Sequence, residues 1–428
     1  MDKVSKENAK IRKANMKLYP NYIMLGYNLL FFFGINIIFL SETKGFSDSQ
    51  ILLSNTILAI FSIFLQVPVT LIISKIGNKN SAIIGNLMNV LWGILMIFVN
   101  SFEILVLIQL IRAFAISIKY ISESNIISHS IPETSKKNLL YSNITKKGYQ
   151  RYYIFLAITT SMSGFLYEIN PYIPIIMCII CSIGATIIAF NFTDIKYEKK
   201  RRNNEIYTLN KYYKELSKGL RFTLTSKRLL SLFLFTGIII GVIRLSSTYE
   251  LAILQYIGMP AKMIASFYAL LSLVNGIFAR DALKFNRKHR NKSLINILMQ
   301  YSFAFIIIGC ITLISINNIV KAIVIVAISI VLASLEGIFS ILQKKYFNSF
   351  SNDEISPSIN SVKSIVDNIF IIITTYIGSL TLMFYNIGVS IIIVGFLLII
   401  IALLIFNYSK NRLGLKPSEY NKKDIALK

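Results

Sequence analysis

Between Leu18 and Tyr408 the chain alternates long apolar runs with short polar tracts. A hydrocarbon core about 30 Å thick is crossed by roughly 20 helical residues, and runs of that length recur along the chain. They lie at 18–40, 50–73, 81–100, 102–127, 149–169, 171–192, 229–257, 261–283, 293–316, 319–343, 358–384 and 386–408. Each run is too long and too continuous for the alternating strands of a membrane barrel, so the pattern predicts helices. The expected fold class is an all-α membrane protein with twelve transmembrane helices.

The polar tracts orient these spans. Basic residues concentrate in alternate connections: Lys3 to Lys17, Lys75 and Lys79, Lys136 to Arg151, Lys196 to Arg228, Arg280 to Lys292, Lys344 and Lys345, and Lys410 to Lys428. The opposite connections hold only Lys44, Lys262 and Lys321. Lys and Arg are retained on the cytoplasmic side, which predicts a multi-pass membrane protein with cytoplasmic termini. The abundance of Ile, Lys and Asn points to an AT-rich bacterial genome, so the expected site is a bacterial plasma membrane. Met1 to Lys17 is polar and basic, and no small-residue cleavage site follows it, so the first span is expected to stay in the mature chain.

Composition changes the picture in one respect. The formal net charge of +25 read alone would invite nucleic acid, but 54% hydrophobic and only 15% charged residues, with mean hydropathy +0.61, place the basic side chains between membrane spans. They are therefore topology signals and contacts for membrane lipids, with no nucleic-acid partner expected. Cys178, Cys181 and Cys310 fall inside spans with no histidine beside them, and the Cys178–Cys181 pair reads as small buried hydrophobes, so no metal or other cofactor is expected.

The longest connection, with EKKRRNNE followed by EIYTLNKYYKELSKGLRF, separates six spans from six. It divides the chain into 1–192, a linker at 193–228 and 229–428. Within the linker Ile206, Leu209, Tyr213, Leu216 and Leu220 recur at helical spacing among lysines. That pattern fits a helix lying on an anionic leaflet as well as it fits a solvated tether.

In this architecture the chain resembles the major facilitator superfamily, which implies a fold of two pseudo-symmetric six-helix bundles. The local match is QVPVTLIISKIGNKNSAIIG, Gln66 to Gly85, which is similar to the family pattern G-x-x-x-D-R-x-G-R-K. Lys75, Gly77 and Lys79 fit it, while Thr70, Ser74 and Asn78 depart from it. A second copy, GIFARDALKFNRKH, supplies Arg280 and Asp281 between spans eight and nine. The resemblance implies a cytoplasmic gating loop at these residues. It also implies a central cavity lined by spans one, four, seven and ten, and the likeness of spans two, four and eleven to efflux members implies export. Arg112 matches the arginine of the fourth-span pattern R-x-x-x-G, with Ile116 in place of its glycine. The fifth span, AITTSMSGFLYEINP, lacks the Gly-Pro pair of many exporters.

The fourth span carries Arg112, Lys119 and Glu123. Each charge at a helix centre costs roughly 2.5 to 3.5 kcal/mol, so such a span is tolerated only where its charges meet protein or water. At about 100° per residue all three share one narrow stripe, which must face inward. Arg244, Glu250, Glu336 and Asp367 are the other ionisable candidates. Lys119 lies 17 residues beyond Phe102 and Glu336 lies 17 beyond Ile319, equal depths that allow the two to approach across the cavity. Local pairing of Lys119 with Glu123 at i, i+4 is the competing reading. For Asp367 a packing hydrogen bond to a neighbour such as Ser364 competes with a proton role. The rest of the cavity wall is expected from Tyr27, Asn28, Asn36, Ser247, Tyr249, Ser329 and Ser340.

Few charges beside many aromatics suit a moderately hydrophobic organic compound, and no Arg cluster is present for phosphate. The expected function is secondary transport by alternating access: proton-coupled export of a drug- or peptide-like small molecule by a monomer, with the substrate and protons as partners. Import of a small nutrient, lipid translocation, or a receptor or assembly role without transport are the alternatives. No nucleophile, histidine pair or metal cluster points to an enzyme, and no G-x-x-x-x-G-K-[ST] loop points to ATP.

Overall fold

The computed structural model describes residues 3–27, 29–132, 137–194, 217, 220–221, 223–348 and 356–409. Most of the proposed amphipathic linker helix, including Ile206, Leu209, Tyr213 and Leu216, and Asn28 lie outside the described residues. Every regular element among those described is a helix. In chain order they are α1 (Lys3–Gly26), α2 (Asn36–Ile38, running on as a π turn over Phe39–Thr43), α3 (Asp48–Ile76), α4 (Asn78–Phe98), α5 (Phe102–Ser130), α6 (Lys137–Ile169) and α7 (Ile173–Phe190). After the linker come α8 (Lys227–Tyr256), α9 (Ala261–Phe278), α10 (Ala282–His289), α11 (Ser293–Leu313), α12 (Asn318–Asn348), α13 (Ser356–Phe384) and α14 (Ile387–Ser409). Eleven of the twelve predicted spans are helical along nearly their whole length and the first is helical in part, and the chain has the twelve-helix architecture.

Two elements differ from the sequence expectation. The run 18–40 is not one helix: α1 begins fifteen residues earlier at Lys3, stops at Gly26, and gives way to turns at 27 and 29–35 before α2. The basic stretch 137–148, expected as a loop, is the first part of the 33-residue α6. A helix of that length rises about 50 Å and outruns the hydrocarbon, so its first turns need not be apolar. Ten helices among the described residues are long and apolar enough to cross a membrane by themselves. The interrupted first span and the basic-ended α6 are the two that fall short.

The chain forms two compact units, residues 1–39 with 61–212 and residues 40–60 with 213–428. Nearly half of α3, residues 48–60, thus groups with the second unit. There Thr56 and Thr375 share a 2.7 Å hydrogen bond, and the Ser379 hydroxyl donates to the Ser49 carbonyl at 2.9 Å. In the first unit α4 packs on α5 and α7, and α1 on α6, α7 and α5. Its core gathers Tyr19, Tyr22, Ile127, Tyr152 and Phe192. In the second unit α11 packs along α14, α8 along α13 and α9 along α12.

Lipid supplies no hydrophobic drive between helices, so close shape fit and small residues set the contacts. At the α11–α14 crossing a Cβ on Gly309 would lie 2.7 Å from the Gly388 carbonyl oxygen. A Gly309→Val protein is therefore expected to unfold at a lower temperature in detergent, with a loss of about 1 to 3 kcal/mol typical of overpacking. Unchanged thermal unfolding would show that this crossing tolerates separation.

Buried hydroxyls repeatedly bond within their own helix. Ser81 donates to the Gly77 carbonyl at 2.6 Å, Thr186 to Ser182 at 2.8 Å, Thr236 to Leu232 at 2.8 Å, Ser302 to Leu298 at 2.9 Å and Thr312 to Ile308 at 2.7 Å. Each hydroxyl proton is satisfied without help from a neighbouring helix.

Candidate functional site

The charges of the fourth span converge in the first unit. Lys119 and Glu123 on α5 are 4% and 5% exposed, whereas Arg112 is partly buried and sits over the Trp92 ring at 5.5 Å. Three neighbours make burial of Lys119 possible. Gly85 on α4 has no side chain, and the lysine stem passes through that space: a Cβ there would run into Lys119 Cγ and come within 2.8 Å of Ile118 Cγ2. The ammonium then reaches α1 and donates to the carbonyl of Gly26, the last residue of that helix. The final carbonyls of a helix have no partner in the helix and carry its negative dipole end, so a lysine there acts as both donor and counter-charge. Glu123, one turn further along α5, is the carboxylate whose charge acts on Lys119.

Glu123 is held by a chain of polar groups that the sequence does not single out. Asn86 on α4 donates to the Tyr22 hydroxyl at 3.0 Å and to its own helix at Ala82 at 2.9 Å. That leaves the Tyr22 hydroxyl proton to bond the Glu123 carboxyl. Glu123 Oε1 is buried with no hydrogen-bond partner. Tyr22 is fully buried, and Tyr19 and Tyr149 lie within range of the Glu123 charge. Tyr27 stacks edge-on against Tyr149 and Tyr152 at 5.1 and 4.8 Å. Asn36 is turned to its own backbone, accepting from Ile37 N at 2.8 Å.

The second unit has its own cluster. Ser246 donates to Glu250 Oε1 at 2.9 Å, and the buried Ser329 hydroxyl, unpartnered in the structure, faces the same carboxyl. Glu336 on α12 feels the charge of Arg244 on α8 and is bonded by the Asn275 side chain of α9. Glu250 and Glu336 act on one another, with Tyr268 and Tyr301 facing both. Those tyrosines are anchored to backbone, Tyr268 to the Ser247 carbonyl at 2.7 Å and Tyr301 to Leu332 at 3.1 Å. Ser247 and Ser340 bond within their own helices, at 2.9 and 2.8 Å. Tyr249 is 1% exposed, and its hydroxyl ties α8 to Ser390 at 2.6 Å and Thr381 at 3.3 Å. Its place is thus in helix packing, against the expectation of an open wall.

Asp367 bonds a neighbour on its own helix, though not the one named from the sequence. Its partner is Lys363, at 2.5 Å from Oδ2, and not Ser364, whose carbonyl accepts from Asn368. Lys363 also lies over the Phe347 ring at 5.6 Å, and Asp367 Oδ1 is left buried without a partner. Of the loop residues, Lys75 is exposed, Lys79 half-buried and Gly77 at φ 99°, the left-handed turn between α3 and α4. Asn78, where the family pattern has arginine, is 8% exposed and accepts from Asn125 at 3.1 Å. In the second loop Arg280 Nε donates to the Ile277 carbonyl at 3.3 Å, and Asp281 pairs on the surface with Lys284 at 2.9 Å. Of the cysteines, Cys178 is buried, Cys181 half-buried and Cys310 exposed. No group of three or more His, Cys, Asp or Glu able to hold a metal occurs among the described residues.

The sequence matches the family model described as Major Facilitator Superfamily over residues 18–356. No curated protein matches it significantly. Among solved structures it is similar to the nucleoside transporter NupG, with TM-score 0.69, 12% identity, and coverage of 94% of this chain and 99% of that one. It is also similar to a D-xylose-proton symporter, with TM-score 0.67, 11% identity and coverage of 92% and 97%. A third is a POT family transporter in complex with a thioalcohol-conjugated peptide, with TM-score 0.64, 12% identity and coverage of 94% and 96%.

Proposed function

The chain belongs to the major facilitator superfamily, and from that premise we propose that it is a proton-coupled secondary transporter of a small, moderately hydrophobic organic solute, working by alternating access. The observation that carries the reading is the Lys119–Glu123 cluster. A carboxyl buried at 5% exposure, with one oxygen unpartnered and a lysine one turn away, is a group whose contacts would change with the gain or loss of a proton. Glu336 and Glu250, with Arg244 as the neighbouring base of Glu336, are the second candidate. Asp367, tied to Lys363, is the third.

Export is the direction we favour, from the likeness to efflux members in the second, fourth and eleventh spans. The presence of a D-xylose-proton symporter among the similar structures supports import as the second reading. Purified protein in proteoliposomes, given a pH gradient of either sign and a panel of organic solutes, tests both. Solute movement coupled to the gradient is expected, and its direction relative to the proton separates antiport from symport. Glu123→Gln is expected to abolish coupling while leaving exchange of solute. Gradient-driven transport that is intact in Glu123→Gln, Glu336→Gln and Asp367→Asn alike would remove the proton assignment.

A further inference from the structure

The interruption of the first span sits where the Lys119 ammonium arrives. α1 ends at Gly26, the Gly26 carbonyl accepts from Lys119, and residues 29–35 are turns. In an uninterrupted helix that carbonyl would accept from the Leu30 amide, four residues on. The lysine therefore occupies the hydrogen bond that continuation of the helix would make. Glu123 lies one helical turn from Lys119 on the same element and offers the ammonium a second, charged acceptor.

We propose that Lys119 alternates between the Gly26 carbonyl and the Glu123 carboxylate, so that the break in the first span opens and closes with the charge on Glu123. This rests on the transporter reading above and gives its proton a mechanical consequence. With a proton on Glu123 the carboxyl is neutral and tolerates an oxygen without a partner, the arrangement seen here. When the proton leaves, the carboxylate is a stronger acceptor than a peptide carbonyl and draws the ammonium over. The Gly26 carbonyl is then unsatisfied in an apolar setting, and winding of the following turn is the nearest remedy.

The surroundings suit a two-position lysine. From α4 come Gly85, which leaves room for the stem, and the amide of Asn86. From α1 Tyr22 bonds Glu123 and Tyr19 lies within range of its charge, as does Tyr149 from α6. Tyr120 on α5, Tyr141 and Tyr27 act on those tyrosines. From α7 Cys178 faces Lys119, with Arg112 acting on Cys178. Glu123 is the carboxylate of this set, and Tyr22 already has its hydroxyl lone pair engaged by Asn86.

Hydrogen–deuterium exchange of the full chain in lipid nanodiscs reads the switch directly. After correction for intrinsic exchange, the amides of 29–35 are expected to gain at least about tenfold protection as pH rises through the titration of Glu123. Glu123→Gln is expected to fix them at the low-protection level at every pH, and Lys119→Met to abolish the pH response with Glu123 still present. A wild-type segment whose protection ignores pH overturns the proposal, as does a Glu123→Gln segment that responds like wild type. Transport measured on the same preparations separates the two ideas. If Glu123→Gln loses the switch but keeps gradient-driven transport, the switch stands and proton coupling resides elsewhere. If it loses coupling while 29–35 still respond to pH, the coupling role stands and the switch is overturned.

Discussion

A Gly337→Ala protein is expected to lose transport and much of its thermal stability, although a single methyl group is added. Gly337 on α12 rides on the backbone of α9: its Cβ would run into the Asn275 carbonyl oxygen, with that carbonyl carbon at 3.0 Å and Ala279 N at 3.1 Å. Backbone cannot swing aside as a side chain can, so the helices must part, at the upper end of the roughly 1 to 3 kcal/mol seen for overpacking. Parting them also pulls Glu336, the adjacent residue, from the Asn275 side chain that bonds it. Thermal unfolding in detergent and gradient-driven uptake on the same sample check both halves. Normal stability with normal transport would mean that α9 and α12 are not locked together here.

The second large effect is expected at Gly85. Alanine there fills the passage used by the Lys119 stem, displacing the ammonium and leaving the Gly26 carbonyl buried without its donor, at a cost of about 1 to 3 kcal/mol. Because the damage runs mainly through Lys119, it should not add in full to removal of the lysine itself. The losses of Gly85→Ala and Lys119→Met are expected to be clearly less than additive when combined, the remainder coming from the Ile118 side chain, 2.8 Å from the added Cβ. Additive losses would place the effect of Gly85 in simple α4–α5 packing.

The helices are legible in the sequence because lipid imposes a length and a polarity that apolar runs display openly. The run 229–257 predicts α8, found at Lys227–Tyr256 and begun by Ser226, whose hydroxyl accepts from Leu229 N at 3.3 Å. The break after Gly26 is not legible, since LLFFFGI at 29–35 is as apolar as any helix and hydropathy does not see which amide bonds which carbonyl. The start of α6 is hidden for the opposite reason: KNLLYSNITKKG is helical but too polar for hydrocarbon.

At the candidate site, the charges themselves stand out against their apolar background. Their partners do not. Asn86, Tyr22 and Gly85 are ordinary letters in long runs, and only the packing of α4 and α1 against α5 brings them to Lys119 and Glu123. The Lys363–Asp367 contact is readable from its i, i+4 spacing, which outweighs the nearer Ser364 because opposite charges one turn apart attract more strongly than a hydroxyl. Lys119 and Glu336 belong to separate units, and each already has neighbours within its own, Gly26 and Glu123 for the one, Arg244 and Asn275 for the other.

The Ser and Thr side chains that bond back to their own helices bear on how readily the protein can rearrange. A hydroxyl whose proton is already engaged, as in Thr236 and Ser302, presents a neighbour with little more than its methyl or methylene surface. Adjacent helices so furnished meet through dispersion forces, which change gradually as one surface slides along another and leave no strong bond to break first. Where such hydroxyls line a contact, the facing helices are thereby lubricated from within, while inter-helix bonds such as Tyr249–Ser390 mark the places that are pinned.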